Sequence, residues 1–413
     1  MNEIDLLLNH NSMVVKRMES MSPMLAQFFG ASLLKIHEQM PTSHGGLLMG
    51  CPVWGRPYID RMVKYSLPTL GSPRNIKYLS GKAVLVFFCF EEDRPYLWEA
   101  TRWLRQERIH TLFRDLPPGL REIAIAKERD DKYGILAPVQ NLLAHMAGHA
   151  EMGLHMYMPD HVYCDGYFES LAKLGTKYPA IVHQGMSLDA SKAMPELDKW
   201  RQVDNYSSIS IPALRLGDLT ISCMHPRSSQ NVMNYGGSIP TDGGTPVLPD
   251  CRQVAWIGKD ALHIADPCHL VAWLCPELCL DAPISFTSTL DMLHPDYIPP
   301  GMWHMAGPDD GMVFAELSEP SSIVREWVGL ERFLMRAWQQ VAFTPDYMPY
   351  LSRRCLIRIS EQAGYLSDAE IDRQHRWILD AMAKGKRWAM EAYFRGQCPP
   401  RWPEEPEPVR EAA

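Results

Sequence analysis

The run MYMPDHVYCDGYFESLAKLGTKYPAIVHQGMSL, residues 156–188, has the pattern of strand, turn, helix and strand. The apolar MYM ahead of Pro159 reads as the end of a buried strand. Tyr167 to Gly175 carries apolar residues at helical spacing and closes on a glycine, and Pro179 to His183 supplies the next strand. Asp160 and Asp165 fall between the first strand and the helix. Ligands of open α/β sheets bind beyond the strand ends. Two carboxylates there suit a hard cation of the kind that carries a nucleotide diphosphate. Aspartate is equally at home capping turns and helices, so both roles stand open for this pair.

Upstream, Ala83 to Phe90 (AVLVFFCF) is an unbroken apolar run, the signature of a central strand covered on both faces. A helix over Tyr96 to Gln106 and a short strand over Ile109 to Phe113 complete a unit of βαβ size. Neither GxGxxG nor GxxxxGK[ST] is present, which removes the dinucleotide fingerprint and the P-loop. Residues 1–80 read as an N-terminal extension: an amphipathic helix over Met21 to Ile36, then a glycine- and proline-rich loop from Pro41 to Pro57. A long helix is expected from Pro138 through His155. It spaces His145, His149 and His155 as H-x3-H-x5-H, near the zinc helix HExxHxxGxxH but with Met146 where the general-base glutamate belongs.

Downstream, Ser208 to Leu214 and Leu219 to Met224 flank RLGD and read as a hairpin. His225 and Arg227 follow, able to hold phosphate oxygens. The loop Asn234 to Pro246 has the composition of a lid or of a disordered connection. Acid and histidine then recur after β-prone runs: His263, Asp266 and His269; Asp291, His294 and Asp296; His304, Asp309 and Asp310. From 319 to 398 the pattern is helical, over Ser322 to Ala342, Met348 to Ala363 and Asp368 to Phe394, and these helices could pack on the sheet as a bundle or build a homo-oligomer. Residues 399–413 are a charged, proline-rich tail.

The chain of 413 residues carries a formal net charge of −8, which argues against a general binder of nucleic acid or anionic membrane. No run of about 18 apolar residues spans a bilayer, and no basic segment precedes an apolar one at the N-terminus, so the expected location is the cytoplasm. The ten cysteines are scattered. Cys268, Cys275 and Cys279 lack the CxxC spacing of structural zinc sites.

The order of elements over residues 80–318, with the pieces MPDHVYCDG and DPCHLVAW, resembles a divergent glycosyltransferase of the GT-A fold, a nucleotide-sugar-dependent transferase. The resemblance implies an α/β fold: a mixed, mostly parallel sheet sandwiched by helices over 81–318. It implies a divalent cation, Mn²⁺ or Mg²⁺, at Asp160 or Asp165, although the usual Asp-x-Asp is here two aspartates four residues apart. It also implies a nucleotide near Phe90 and Glu91, beyond the first strand. Sugar transfer builds negative charge on the leaving diphosphate and needs a base for the acceptor hydroxyl. Asp291, after the strand-like FTSTL, is the candidate base or else the cap of a helix over MLHPDY, His269 is a further metal ligand or phosphate contact, and His225, Arg227, Asp309 and Asp310 are candidate substrate contacts. The partners implied are a nucleotide-sugar donor and a glycan, lipid-linked or protein acceptor. Trp256, Trp273 and Trp303 suit sugar stacking or core packing. A histidine-based metal hydrolase and a non-catalytic interaction protein on the same scaffold are the alternatives.

Overall fold

The computed structural model describes residues 28, 46–117, 129–183, 186–204, 206–225, 232–234, 241–242, 245–246, 254–257, 261–265, 270–280, 302–307, 310–319 and 356–358. The strands are β1 (Leu47–Pro52), β2 (Ala83–Cys89), β3 (His110–Asp115), β4 (Gly153–Met156), β5 (His161–Tyr163), β6 (Ala180–His183), β7 (Met186–Asp189), β8 (Val232–Asn234), β9 (Thr241–Asp242), β10 (Thr245–Pro246), β11 (Val254–Ile257), β12 (Ala261–Ala265), β13 (Leu270–Leu274), β14 (Trp303–Ala306), β15 (Phe314–Ser318) and β16 (Leu356–Arg358). The helices are α1 (Arg56–Arg61), α2 (Leu67–Leu70), α3 (Pro73–Leu79), α4 (Arg94–Ala100), α5 (Arg102–Gln106), α6 (Arg129–His149), α7 (Tyr167–Gly175), α8 (Ala190–Asp198), α9 (Ala213–Ser222) and α10 (Pro276–Leu280). One π-helical turn, Met62–Ser66, joins α1 to α2.

The chain divides into two compact units. The first draws on Met1–Pro226, Cys268–Ser321 and Cys355–Glu361, the second on Arg227–Pro267, Ser322–Arg354 and Gln362–Ala413. In the second, β11 pairs antiparallel with β12 and parallel with β8. The short β9 and β10 pair antiparallel within the stretch expected as a lid.

The first unit is mixed α/β, built on a seven-stranded sheet in the order β14-β6-β13-β4-β1-β2-β3. β1 runs parallel to β2 and β4, β2 parallel to β3, and β14 parallel to β6. β13 is antiparallel to both its neighbours, so the other six strands share one direction. Side chains alternate across the sheet. Leu48, Val84, Val86, Phe88 and Leu154 lie on one face, which α6 covers. Met49, Cys51, Leu85, Phe87 and His155 lie on the other, toward α7 and a three-stranded sheet in the order β5-β15-β7. Burial on both faces explains the unbroken apolar run of β2.

Four expectations are corrected. Leu47–Pro52, read as loop, is a strand in the middle of the sheet, so the segment expected as an extension supplies part of the core. It is buried on both faces and shows no period-two pattern to find. The long helix stops at His149, and His155 lies on β4. Glu151 takes a left-handed φ of 53°, and the Met152 N–H returns to the Ala147 carbonyl, closing the helix as a glycine would. The expected hairpin over 208–224 is helix α9: Leu216, Leu219 and Cys223 recur at helical spacing on its buried side, with Pro212 at the N-cap. Leu356–Arg358, placed in a C-terminal helix, is a strand, consistent with β-branched Ile357 at its centre. The remaining C-terminal helices, the tail and the Met21 to Ile36 helix lie outside the described residues, Phe28 apart.

Candidate functional site

The sheet's connections leave β1 in two directions: β2 and β3 lie on one side, β4 on the other. That reversal between β1 and β4 is the topological switch point, where chains leaving adjacent carboxyl ends diverge and open a crevice. The loop Val53–Gly55 leaves β1 there, Phe90 and Glu91 follow β2, and Tyr157 to Asp160 follow β4. Phe90 is buried and Glu91 exposed. Arg56 lies over the Tyr96 ring at 3.7 Å and bonds Asp60 at 2.8 Å, and Arg94 bonds Asp115 at 2.7 Å.

The two aspartates do different things. Asp165 accepts the Arg74 backbone N–H at 2.9 Å and the Ser210 hydroxyl at 3.0 Å, one on each carboxylate oxygen. Arg74 is near the start of α3, so Asp165 ties that helix terminus to the segment ahead of α9. Asn75 strengthens the clasp, its Oδ1 accepting Gly166 and Phe168 N–H groups and its amide donating to the Thr69 and Cys164 carbonyls. Asp165→Ala is expected to cost about 1–2 kcal/mol by orphaning these donors. Chemical denaturation measures it, and a stability equal to wild type would show the clasp to be redundant.

Asp160 precedes β5 at the opposite end of that strand. Its carbonyl accepts the Leu317 N–H at 2.8 Å, and burial pushes the pKa values of Cys51, Tyr157 and Tyr163 up, with the charge of Asp160 adding to the rise. An extended residue presents N–H and C=O toward the same neighbour, so the Leu317 carbonyl also faces this side. Arg61 takes it, donating from Nη1 at 3.1 Å, and pairs through Nη2 with Glu319. Arg61, Asp160 and Glu319 therefore gather at one rim of the small sheet. His225 reaches the same rim, its Nε2 donating to the Glu319 carbonyl at 2.8 Å while its own N–H bonds the Ser187 carbonyl.

A divalent cation needs several oxygen or nitrogen donors around one point. Among the described residues no group of three or more histidine, cysteine, aspartate and glutamate side chains could hold a metal ion. Asp160 and Asp165 are separated by β5, and the donor set expected of them is not completed by anything described. His145 and His149 stay on α6 while His155 donates from Nδ1 to the Ala272 carbonyl at 2.7 Å, so the zinc-helix pattern does not form. Asp310 accepts from His304 Nε2 at 3.0 Å and the Gly307 N–H at 3.1 Å, while Tyr178 stacks on that imidazole at 4.5 Å. Arg227, His269, Asp291 and Asp309 lie outside the described residues.

Beneath the rim is a buried aromatic layer: Tyr157, Tyr163, Tyr167, Phe168, Phe314, His155, His161 and His183. Its proton positions follow from its partners. His155 Nδ1 carries the hydrogen given to Ala272, so Nε2 accepts the Tyr163 hydroxyl at 3.1 Å; that oxygen in turn accepts His161 Nδ1–H at 3.3 Å. Burial holds both imidazoles neutral, lowering His155 to about 4 and His161 to about 3.

Sequence reading missed Arg61 and Glu319. Each sits in an unremarkable context; the register of β5 against β15 and the packing of the π-helical turn on β5 bring them beside Asp160.

No family model matches the chain, and no curated protein does. Among solved structures it is similar to a glucose-1-phosphate thymidylyltransferase from Bacillus anthracis in complex with sucrose, at 7% identity and a TM-score of 0.31 over 66% of this chain and 89% of that one. It is also similar to mouse xyloside xylosyltransferase 1 in its apo form, at 13% identity and a TM-score of 0.22 over 37% of this chain and 55% of that one. Likeness at this level assigns no activity. Among the described residues, no helix is long and apolar enough to cross a membrane.

Proposed function

We propose that this protein is a transferase that takes a nucleotide-diphosphate sugar at the crevice beyond β1 and β4 and passes the sugar to an acceptor hydroxyl. The observation that carries the reading is the strand-order reversal between β1 and β4, with Asp160 in the segment between β4 and β5. The donor's base lies toward Phe90 and Glu91, and its diphosphate toward Asp160. In the reaction the acceptor oxygen bonds to the sugar's anomeric carbon while the bond from that carbon to the diphosphate oxygen breaks, its electron pair leaving with the diphosphate. The acceptor proton goes to a carboxylate, for which Asp291 is the candidate. The protein's task is to stabilise the growing negative charge on the leaving group. His225, Arg227, His269, Asp309 and Asp310 belong to the same proposal as phosphate or acceptor contacts, with a glycan, lipid-linked or protein acceptor.

Mn²⁺ or Mg²⁺ remains in the proposal as a partner of the diphosphate. A thermal-shift panel of UDP and GDP, each with and without Mn²⁺ or Mg²⁺, tests both parts. A ligand at a hundred times its dissociation constant adds about 2.7 kcal/mol, so one nucleotide diphosphate is expected to raise the melting temperature by several degrees. Asp160→Asn is expected to remove most of that rise while leaving the unliganded melting temperature close to wild type. Melting that no nucleotide shifts, at any cation concentration, would sink the reading.

A further inference from the structure

We infer that Arg61 is the cation that receives the donor's diphosphate, and that Glu319 holds its guanidinium in place until the anion arrives; this deepens the transferase reading and rests on it. Among the described residues, Arg56, Arg61 and Arg94 lie in the segments that follow β1 and β2. Arg56 and Arg94 are well exposed, at 62% and 42%, and each is committed to a carboxylate, Asp60 or Asp115. Water weakens such charges. The Arg61 side chain is only 9% exposed, so its field is much less screened, and it alone of the three bonds the backbone beside Asp160.

The pair it makes is asymmetric. Glu319 is 65% exposed and its carboxylate is free to return to water. Its release returns the carboxylate to water, and the arriving diphosphate takes over the pairing that the largely buried guanidinium needs. A diphosphate offers more acceptor oxygens and more charge to the same fork, and the planar guanidinium matches phosphate in a two-point contact. Glu319 thus occupies the position that the ligand takes.

Local structure fixes the guanidinium in advance. Arg61 closes α1, and the π-helical turn Met62–Ser66 begins at the next residue. Such turns concentrate at functional sites because the extra residue re-aims side chains at a cost in helix hydrogen bonding. Here the turn is pinned at its far end. Tyr157 donates its hydroxyl hydrogen to Ser66 Oγ at 2.6 Å, and Ser66 donates to the His161 carbonyl. The residue that holds the turn is thereby tied to both flanks of Asp160.

Calorimetric titration of inorganic pyrophosphate, UDP and GDP into wild type, Arg61→Gln, Arg61→Lys and Glu319→Gln tests the inference. Arg61→Gln is expected to weaken pyrophosphate and nucleoside diphosphate at least tenfold. Arg61→Lys should fall between, keeping charge but losing the fork. Glu319→Gln should bind about threefold to fivefold tighter, as expected when a competing ion pair of up to 1 kcal/mol is removed, with the gain shrinking in high salt. Glu319 is exposed, so this variant folds even if Arg61→Gln does not, and it keeps the test decisive. Unchanged or weaker binding by Glu319→Gln, or wild-type binding by Arg61→Gln, overturns the assignment. Nucleotide binding that ignores Arg61 leaves the transferase reading intact and removes this inference. Pyrophosphate binding that follows Arg61, with no nucleotide bound, retains the anion site and removes the transferase reading.

Discussion

Gly153→Ala is expected to destabilise the protein by about 3 kcal/mol, a large loss for a change of one methyl group. Gly153 opens β4, and the Trp273 indole of the neighbouring β13 lies against it; a Cβ there would overlap the six-membered ring. A Cβ built on Gly175, at the end of α7, would stand 3.1–3.3 Å from the same indole, so α7 leaves the ring little room to move. Both glycines exist to admit one tryptophan, which answers whether Trp273 stacks on sugar: it packs in the core. A rigid ring has no rotamer that clears the added atom, so the backbone of β4 or β13 must shift, and overpacking of this kind costs about 1–3 kcal/mol, occasionally more. The displacement would pass to His155 and the layer under Asp160, only a few residues along. Urea denaturation of Gly153→Ala alone and with Trp273→Leu checks the cause. The leucine should recover part of the loss, and a single mutant as stable as wild type would show that the sheet yields freely there.

The sequence was legible where one physical pattern dominated. β2 was evident because seven consecutive buried apolar residues suit only a central strand, and α7 because its apolar spacing and closing glycine agree. β4 was hidden by the helix ahead of it. Leu154 continues the apolar stripe of α6, while the residue that ends that helix is a glutamate in a left-handed conformation, which no composition rule anticipates. α9 was hidden by a turn-like LGD that the packing of Leu216 and Leu219 overrides. Local signals conflicted at these places, and tertiary contacts decided.

The site divides in the same way. A carboxylate after a buried strand pointed to Asp160, and the structure places it between β4 and β5, where the proposed donor site lies. Asp165 looked equivalent because its partners, Arg74 and Ser210, are distant in sequence. Arg61 and Glu319 are brought together because β15 pairs with β5 and the π-helical turn after Arg61 packs on β5, long-range events with no local trace. Charge count gave the opposite impression, since a net −8 chain does not advertise an arginine whose side chain is only 9% exposed.

The stability of the protein is expected to fall steeply as the pH drops from about 6.5 toward 4, ahead of most carboxylate titration, because of the histidines under the rim. His155 is lowered to about 4 by burial, opposed in part by its bond to the Ala272 carbonyl, and His161 is lowered to about 3 by burial and by the neighbouring His155. An unfolded histidine binds its proton near pH 6.5. Between that value and the folded one the unfolded chain holds more protons, so stability rises with pH there. The contribution is complete above 6.5, declines as the pH falls through the window, and is gone below the folded values. Each unit of difference is worth 1.36 kcal/mol, so His155 alone accounts for about 3 kcal/mol, and His161 adds in the same direction. Protonation also breaks the chain of bonds, since a charged His155 can no longer accept the Tyr163 hydroxyl at Nε2. His155→Gln keeps a donor and an acceptor but does not titrate. Its stability plotted against pH should be flatter than wild type by up to one proton over 6.5 to 4, and parallel curves for the two proteins would show that acid acts elsewhere.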